Sequence, residues 1–476
     1  MTKDNDGKKL ERNLSSRHMQ MIALGGTIGV GLFMGSASTI KWTGPSVLLD
    51  YGIAGIILYL IMRALGEMLY VHPVTGSFSQ FATHYMHPLF GFLTAWSNIF
   101  QWILVGMSEV IAIGTYCNFW WPHLPGWIPG VIAIVSLCIA NLLSVKSFGE
   151  LEYWFSMIKV VTIIAMILAG FAMIIFGFGN HMHPIGISNL WTHGFFAGGL
   201  KGFLFALSIV LASYQGIELI GVTAGEADNP KQTIVKSIQS TIWRILIFYI
   251  GAIFVIVSIY PWNELNGSNS PFVETFAKIG ITGAAGIINF VVLTAALSGS
   301  NSSIYSTSRM AYLLAQEGRL PKRFLKVNKH GVPYYDVIAI SFGIFLGVVL
   351  NVILPMFFKS ASDIFVVVYS SSVLPGMVPW FVILVSQLRF RKENPELMKQ
   401  HTFKMPFSPY SNYIALFFLA LTLVFMTMNP ETQIPLMVGV VFLVIMTIVY
   451  YAKFNTKDKL LKAEKAADAA NHNSEY

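Results

Sequence analysis

Four ionisable residues fall well inside apolar stretches of this 476-residue chain: Asp50, Glu109, Lys159 and Glu218. A charge at the centre of a bilayer costs on the order of 2.5–3.5 kcal/mol on the mildest scale, so such residues turn to the protein interior and mark ion or substrate paths. None of the eleven histidines lies mid-span, so a proton crossing this chain rides on a carboxylate or on the lysine. Bond-breaking chemistry has no foothold, because the sequence holds no HExxH, no GxSxG and no Cys/His cluster. Cys117 and Cys138 sit in or at the end of apolar helices as small hydrophobes, and no cofactor or metal is implied.

A second kind of chemistry is carried by the backbone. Residues 25–35 read GGTIGVGLFMG, five glycines within the first long apolar stretch. Where a spanning helix unwinds, its N–H and C=O groups lose their partners in a medium without water, so a break survives only where it lines a cavity or binds something. Close packing is the alternative, since Gly25/Gly29 and Gly31/Gly35 each form a GxxxG pair. A dinucleotide loop fails on context, with no strand before the glycines and no acidic residue at ribose spacing after them. Unpaired N–H groups at Gly29, Val30 and Gly31 would face an anion at the positive end of a half-helix. A similar interruption recurs in the stretch Leu204–Pro230, where Ser213, Tyr214, Gln215 and Gly216 stand together near mid-membrane.

The elements that hold these residues are apolar helices. The chain is 55% hydrophobic and only 11% charged, against roughly 25% charged in soluble domains, which makes it a polytopic, all-α membrane protein. Twelve windows approach the ~20 residues a bilayer needs: 19–40, 46–65, 90–116, 127–144, 154–176, 198–224, 240–260, 281–315, 337–354, 363–388, 410–428 and 434–452. Residues 1–17 are polar and carry five Lys or Arg, which reads as a retained cytoplasmic tail and not a signal peptide. With that end inside, the outer loops hold only Lys41, Lys201, Lys278 and Lys359 of the 31 basic residues, so both termini are expected in the cytoplasm. The net charge of +8 is thus a topology signal, and no nucleic acid is expected as a partner. The polar last residues read as a short cytoplasmic helix or a disordered tail. The interrupted spans are the first and the sixth, five apart, so a five-helix repeat would set its second copy upside down. Matching breaks in two inverted halves point to a substrate site at the midplane.

Several stretches resemble bacterial amino acid permeases of the amino acid, polyamine and organocation superfamily. They are SRHMQMIALGGTIGVGLFMG (16–35), TGPS and GEM (43–46 and 66–68), VTGSFSQFA (74–82), ELEYWFSMIKV (150–160), SYQGIELIGVTAGEADNP (213–230) and VLPGMVPWFVILVSQLRFR (373–391). The resemblance implies a leucine-transporter-like fold of twelve helices, with helices 1 and 6 broken. Residues 19–176 and 198–388 would form the two inverted five-helix repeats, 405–452 helices 11 and 12, and 1–18 and 453–476 the cytoplasmic tails. It also implies proton-coupled import of an amino acid across a bacterial cell membrane. Small neutral substrates (Ser, Thr, Ala or Gly) are favoured over exchange, over larger aromatic, basic or GABA-like substrates, and over a non-transporting nutrient receptor.

Residue by residue, the resemblance puts the substrate carboxylate on Gly29, Val30 and Gly31, and its ammonium among carbonyls of Thr27, Ala212 and Gln215. Ser213, Gly216 and Glu109 join the substrate site, and Ser108, Asn301 and Ser370 to Ser372 are further pocket candidates that can equally bond to their own helices. Lys159 resembles a stand-in for the sodium ion of sodium-coupled relatives, with snorkelling to the cytoplasmic surface as its alternative. Glu218 is either a second proton carrier or a pin that holds the break in span six. Asp50 departs from the small residue expected there and has no physical account.

Overall fold

The structure of the protein, a computed structural model, describes residues 28–72, 77–218, 230–265, 270–278, 282–357, 361–456 and 458. Among these residues all regular structure is helical. In chain order the α-helices are α1 (Val30–Phe33), α2 (Gly35–Thr43), α3 (Val47–Val71), α4 (Ser77–Tyr85), α5 (Pro88–Cys117), α6 (Trp127–Leu143), α7 (Val145–Phe176), α8 (Asn189–Thr192), α9 (Gly199–Ser213), α10 (Pro230–Arg244), α11 (Ala252–Ile259), α12 (Pro271–Lys278), α13 (Thr282–Gln316), α14 (Tyr334–Ile353), α15 (Ala361–Ser370), α16 (Val373–Glu393), α17 (Pro395–Gln400), α18 (Tyr410–Met428) and α19 (Pro430–Lys453). A π-helical stretch, Ile245–Gly251, joins α10 to α11.

Eight described stretches are long and apolar enough to cross a membrane, and shorter apolar helices lie at Trp127–Leu143, Gly199–Ser213 and Leu246–Ile259. Local chemistry sets several of their ends. Proline opens α5 and α19, where its missing N–H costs nothing, and the preceding His87 and Asn429 accept the N–H groups of Leu89 and Glu431 at 3.2 and 3.1 Å. Helices α5, α13, α15 and α16 form the interior, with α5 packed along α13 and α13 along α7. The outer helices turn apolar side chains outward: Ile132, Leu168, Phe342 and Ile448 are 61%, 65%, 64% and 62% exposed. Water would not tolerate so continuous an apolar surface, and lipid does.

Two helix ends and one interruption, three features in all, meet in that interior. Helix α1 starts at Val30 after extended backbone at Gly29. Helix α9 stops at Ser213 after 15 residues, which at ~1.5 Å per residue is about 22 Å and short of a ~30 Å hydrocarbon core. The third was not expected, for the window 363–388 reads as one helix, yet α15 ends at Ser370 and α16 begins at Val373. Serine hydroxyls compete with the backbone here: Ser371 Oγ donates to the Val367 carbonyl at 2.8 Å and Ser372 Oγ to that of Tyr369 at 2.6 Å. A second difference concerns span five, placed at 154–176 by its apolar window, whereas α7 begins at Val145. The polar stretch around Glu152 belongs to the helix, and the Glu152 carboxylate finds partners inside the protein.

Candidate functional site

The start of α1 supplies the first wall of the site. Gly29 caps the helix with no side-chain bond, and its carbonyl accepts the N–H groups of Leu32 and Phe33 at 3.1 and 3.3 Å. The Val30 and Gly31 N–H groups ahead of them have no carbonyl of their own helix to bond among the described residues. Gly31 must be glycine for a spatial reason: a Cβ there would lie 2.2 Å from the Tyr369 hydroxyl and 2.9 Å from the Ser213 Cα. The backbones at the start of α1 and the end of α9 come together at this point.

The end of α9 supplies the opposite wall. Gly216 turns the chain through φ +102°, a left-handed conformation open to glycine, and the Trp102 ring would meet a Cβ there at 2.9 Å. Tyr249 donates to the Ser213 carbonyl at 3.1 Å and Tyr214 to that of Tyr51 at 3.0 Å. Gln215 reaches the α15–α16 break, donating to the Ser372 and Val373 carbonyls at 3.4 Å and accepting from Ser372 Oγ at 3.3 Å. Glu218 folds back on the break: both its oxygens accept the Gly216 N–H at 3.1 Å, and one accepts Trp380 Nε1 at 3.2 Å.

Between these walls lies a cavity of about 30 Å³, lined by Gly29, Gly31, Glu109, Ala212, Ser213 and Gln215 together with Trp102, Val105, Gly299 and Tyr369. Such a space holds about one or two waters, so an amino acid enters only if the walls move. Glu109 is wedged between glycine backbones: a Cβ on Gly29 would be 3.0 Å and one on Gly299 2.2 Å from its Oε1. The Val30 N–H lies within hydrogen-bonding reach of this carboxylate, and Oε2 has no hydrogen-bond partner among the described residues. A carboxyl group already occupies the start of α1.

Sequence reasoning missed Trp102, Val105, Gly299 and Tyr369 as lining residues. The spacing of Trp102, Val105 and Glu109 puts them on one face of α5, which was a usable signal once Glu109 was chosen. Of the expected pocket residues, Val30 is buried beside the cavity and Gly216 packs on Trp102. Ser108 and Ser213 bond to their own helix at the Val105 and Val210 carbonyls, both at 2.7 Å. Thr27 lies outside the described residues. Asn301 faces elsewhere, into the network around Lys159.

Lys159 does not snorkel. It is 1% exposed and sits about four turns into α7, donating from Nζ to the Ile28 carbonyl at 3.1 Å and to Ser298 Oγ at 2.9 Å. A single ammonium thus ties the entry to α1 to the middle of α13. Asp50 is fully buried in α3, neither oxygen has a hydrogen-bond partner among the described residues, and nothing in the structure explains it.

Known proteins resemble this chain along nearly its whole length. The sequence profile of the amino acid permeases matches residues 18–468. A probable threonine/serine transporter of Bacillus subtilis is 61% identical, the match covering 97% of this chain and 99% of that protein. The amino-acid permease AapA of the same organism is 42% identical over 94% of this chain and 96% of its own length. The aromatic amino acid transport protein AroP of Escherichia coli is 41% identical over 97% and 98%.

Proposed function

Since this chain belongs to the amino acid permease family, and is thus a multi-pass membrane transporter and not an enzyme, we propose that it imports threonine, serine or a similarly small neutral amino acid together with a proton. The observation that carries the reading is the meeting of two broken helices at Gly31 and Ser213 around one small cavity. The proposed frame is the leucine-transporter-like one: inverted repeats at 19–176 and 198–388, peripheral helices within 405–452, and both termini cytoplasmic. In it, the substrate carboxylate takes the N–H groups of Val30 and Gly31. The ammonium takes carbonyls at the α9 break, Ala212 among them, and the Glu109 carboxylate displaced from α1. Backbone groups read what every amino acid shares, and Trp102 and Tyr369 limit what side chain fits.

The size preference rests on that crowding and on the B. subtilis relative named as a probable threonine/serine transporter. Lys159 is the proposed proton carrier, because its ammonium ties α1 to α13 through charge-assisted hydrogen bonds that weaken when the charge is lost. A proton that stabilises one arrangement of helices over another is what coupling requires. Glu218 is the weaker candidate, since its carboxylate serves the backbone of the break. Uptake of labelled amino acids into proteoliposomes under an imposed pH gradient tests the reading. Accumulation of threonine or serine that collapses with the gradient is expected. Gradient-independent exchange, preference for aromatic or basic substrates, or binding without accumulation would each replace it.

A further inference from the structure

Glu152 is a fully buried carboxylate that the substrate site does not use. It stands seven residues before Lys159 on α7, hence on the same face and about 10 Å away along the axis. The Ser298 hydroxyl spans that interval. Lys159 Nζ donates to Ser298 Oγ at 2.9 Å, and Ser298 Oγ donates to Glu152 Oε1 at 2.6 Å. Both bonds run the same way, from ammonium to hydroxyl to carboxylate, which is the alignment a proton hop needs.

The other oxygen is prepared by neutral groups. Asn141 Nδ2 donates to the Leu137 carbonyl at 3.0 Å and to Asn301 Oδ1 at 2.8 Å, which turns the Asn301 amide N–H toward Glu152 Oε2 at 3.4 Å. The carboxylate is therefore held by a serine and an asparagine, and the positive charge aligned with it is that of Lys159. Other charged groups near the network are Glu109 on α5, Glu150 on α7 itself and Arg309 on α13; α6 and α11 contain no Asp, Glu, Lys, Arg or His.

Beyond Glu152 lies a stacked aromatic pair. Phe148, one turn earlier on α7, stacks on Tyr305, one turn past Asn301 on α13, with ring centroids 3.6 Å apart and planes 6° from parallel. Arg309 lays its guanidinium on the Tyr305 ring at 3.2 Å. Asn328, in the basic loop that follows α13, bonds the Leu142 carbonyl at 2.8 Å just before α7 begins. This end of α7 thus lies beside the loop of Lys322, Arg323, Lys326 and Lys329, which basic-residue asymmetry assigns to the cytoplasm.

We propose that Glu152 receives the proton of Lys159 through Ser298 and releases it to the cytoplasm when the Phe148–Tyr305 layer parts. The step balances: Ser298 Oγ takes a proton from Lys159 and passes its own to Glu152 Oε1, turning ammonium and carboxylate into amine and carboxylic acid. Loss of that proton to water restores the Glu152 carboxylate. The neutral amine no longer donates to both Ile28 and Ser298 with a charge behind it, which frees α1 from α13. The inference rests on the proton-symport reading given above.

The test uses the full chain in proteoliposomes with labelled threonine, comparing pH-driven accumulation with threonine–threonine exchange at equal pH, and recording influx against internal pH. Glu152→Gln and Ser298→Ala are expected to keep exchange and lose about tenfold or more of accumulation. Influx through both variants should stop responding to internal pH, while Ser298→Thr, which keeps the hydroxyl, should restore accumulation. Wild-type accumulation and internal-pH dependence in Glu152→Gln and Ser298→Ala would overturn the proposal. Equal loss of exchange and accumulation would overturn it too, by making Glu152 a structural group. If the wild type itself ignores the pH gradient, the symport reading fails first, and that failure is visible before any variant is made.

Discussion

Glu67 and Glu152 are both fully buried carboxylates, and their surroundings could hardly differ more. Glu67 on α3 accepts Arg391 through Nε at 2.7 Å and Nη2 at 2.6 Å, Gln387 Nε2 at 2.9 Å and the Met405 N–H. Its own backbone carbonyl bonds His401 at 2.9 Å, and Asn412 holds Gln387 in place at 2.8 Å. Every oxygen is saturated, half of it by a guanidinium clamped in two places. Such a corner fixes α3, α16 and the segment before α18 to one another. Glu152 has neutral donors and a charge partner one hydroxyl away. Glu67 is pinned directly by a fixed charge, whereas Glu152 meets its charge partner only through a bridging hydroxyl that can donate and accept at once.

The largest effect expected from this contrast is on stability at the saturated corner. Glu67→Ala removes the carboxylate facing Arg391, Gln387 and the Met405 N–H, leaving Arg391 only backbone carbonyls such as that of Met405, and should cost about 3 kcal/mol; thermal melts in detergent should show a large drop, and a wild-type melt would dissolve the distinction between the two sites. Gly31→Val should insert and melt close to wild type yet transport only at background, because its side chain collides with Tyr369 and the Ser213 backbone. Surface labelling with uptake in parallel checks it, and normal uptake would remove the broken-helix site. Lys159→Ala should lose pH-driven accumulation while threonine still binds, since the half-helix ends remain; accumulation that survives would move coupling to Glu109 or Glu218. The smallest effect is on ligand selectivity. Threonine methyl ester and the decarboxylated amine should compete about 10- to 100-fold more weakly than threonine, the worth of one charged hydrogen-bonding group, and equal competition by the amine would point to a cation carrier.

Much of this was legible along the chain because its signals are local. Glycine spacing marks the start of α1, the Ser213–Gly216 run marks the end of α9, and the scarcity of charge in apolar windows singles out Glu109, Lys159 and Glu218. What was misjudged depended on partners distant in sequence. Glu152 fell outside the fifth window because a hydropathy average stops at polar residues, whereas in the fold those residues meet Ser298 and Asn301 and the helix runs on. Gly66–Met68 and the LRFR stretch carried only family likeness until Glu67 and Arg391 met across more than three hundred residues. The α15–α16 break was hidden for a related reason, since serines inside an apolar run do not lower hydropathy enough to reveal that they have captured the backbone.

The sequence by itself determined that the chain lives in a membrane and where glycines favour breaks in its first and sixth apolar stretches, since these follow from transfer cost and backbone hydrogen bonding within a single segment. Only the tertiary structure decided which groups those breaks face. It set Glu109 against the glycine backbones of α1 and α13, made the cavity small by turning Trp102 and Tyr369 into it, and joined Lys159 to Glu152 through a serine from another helix. Those pairings arise from how separate helices pack, and no property of any one helix specifies its neighbour.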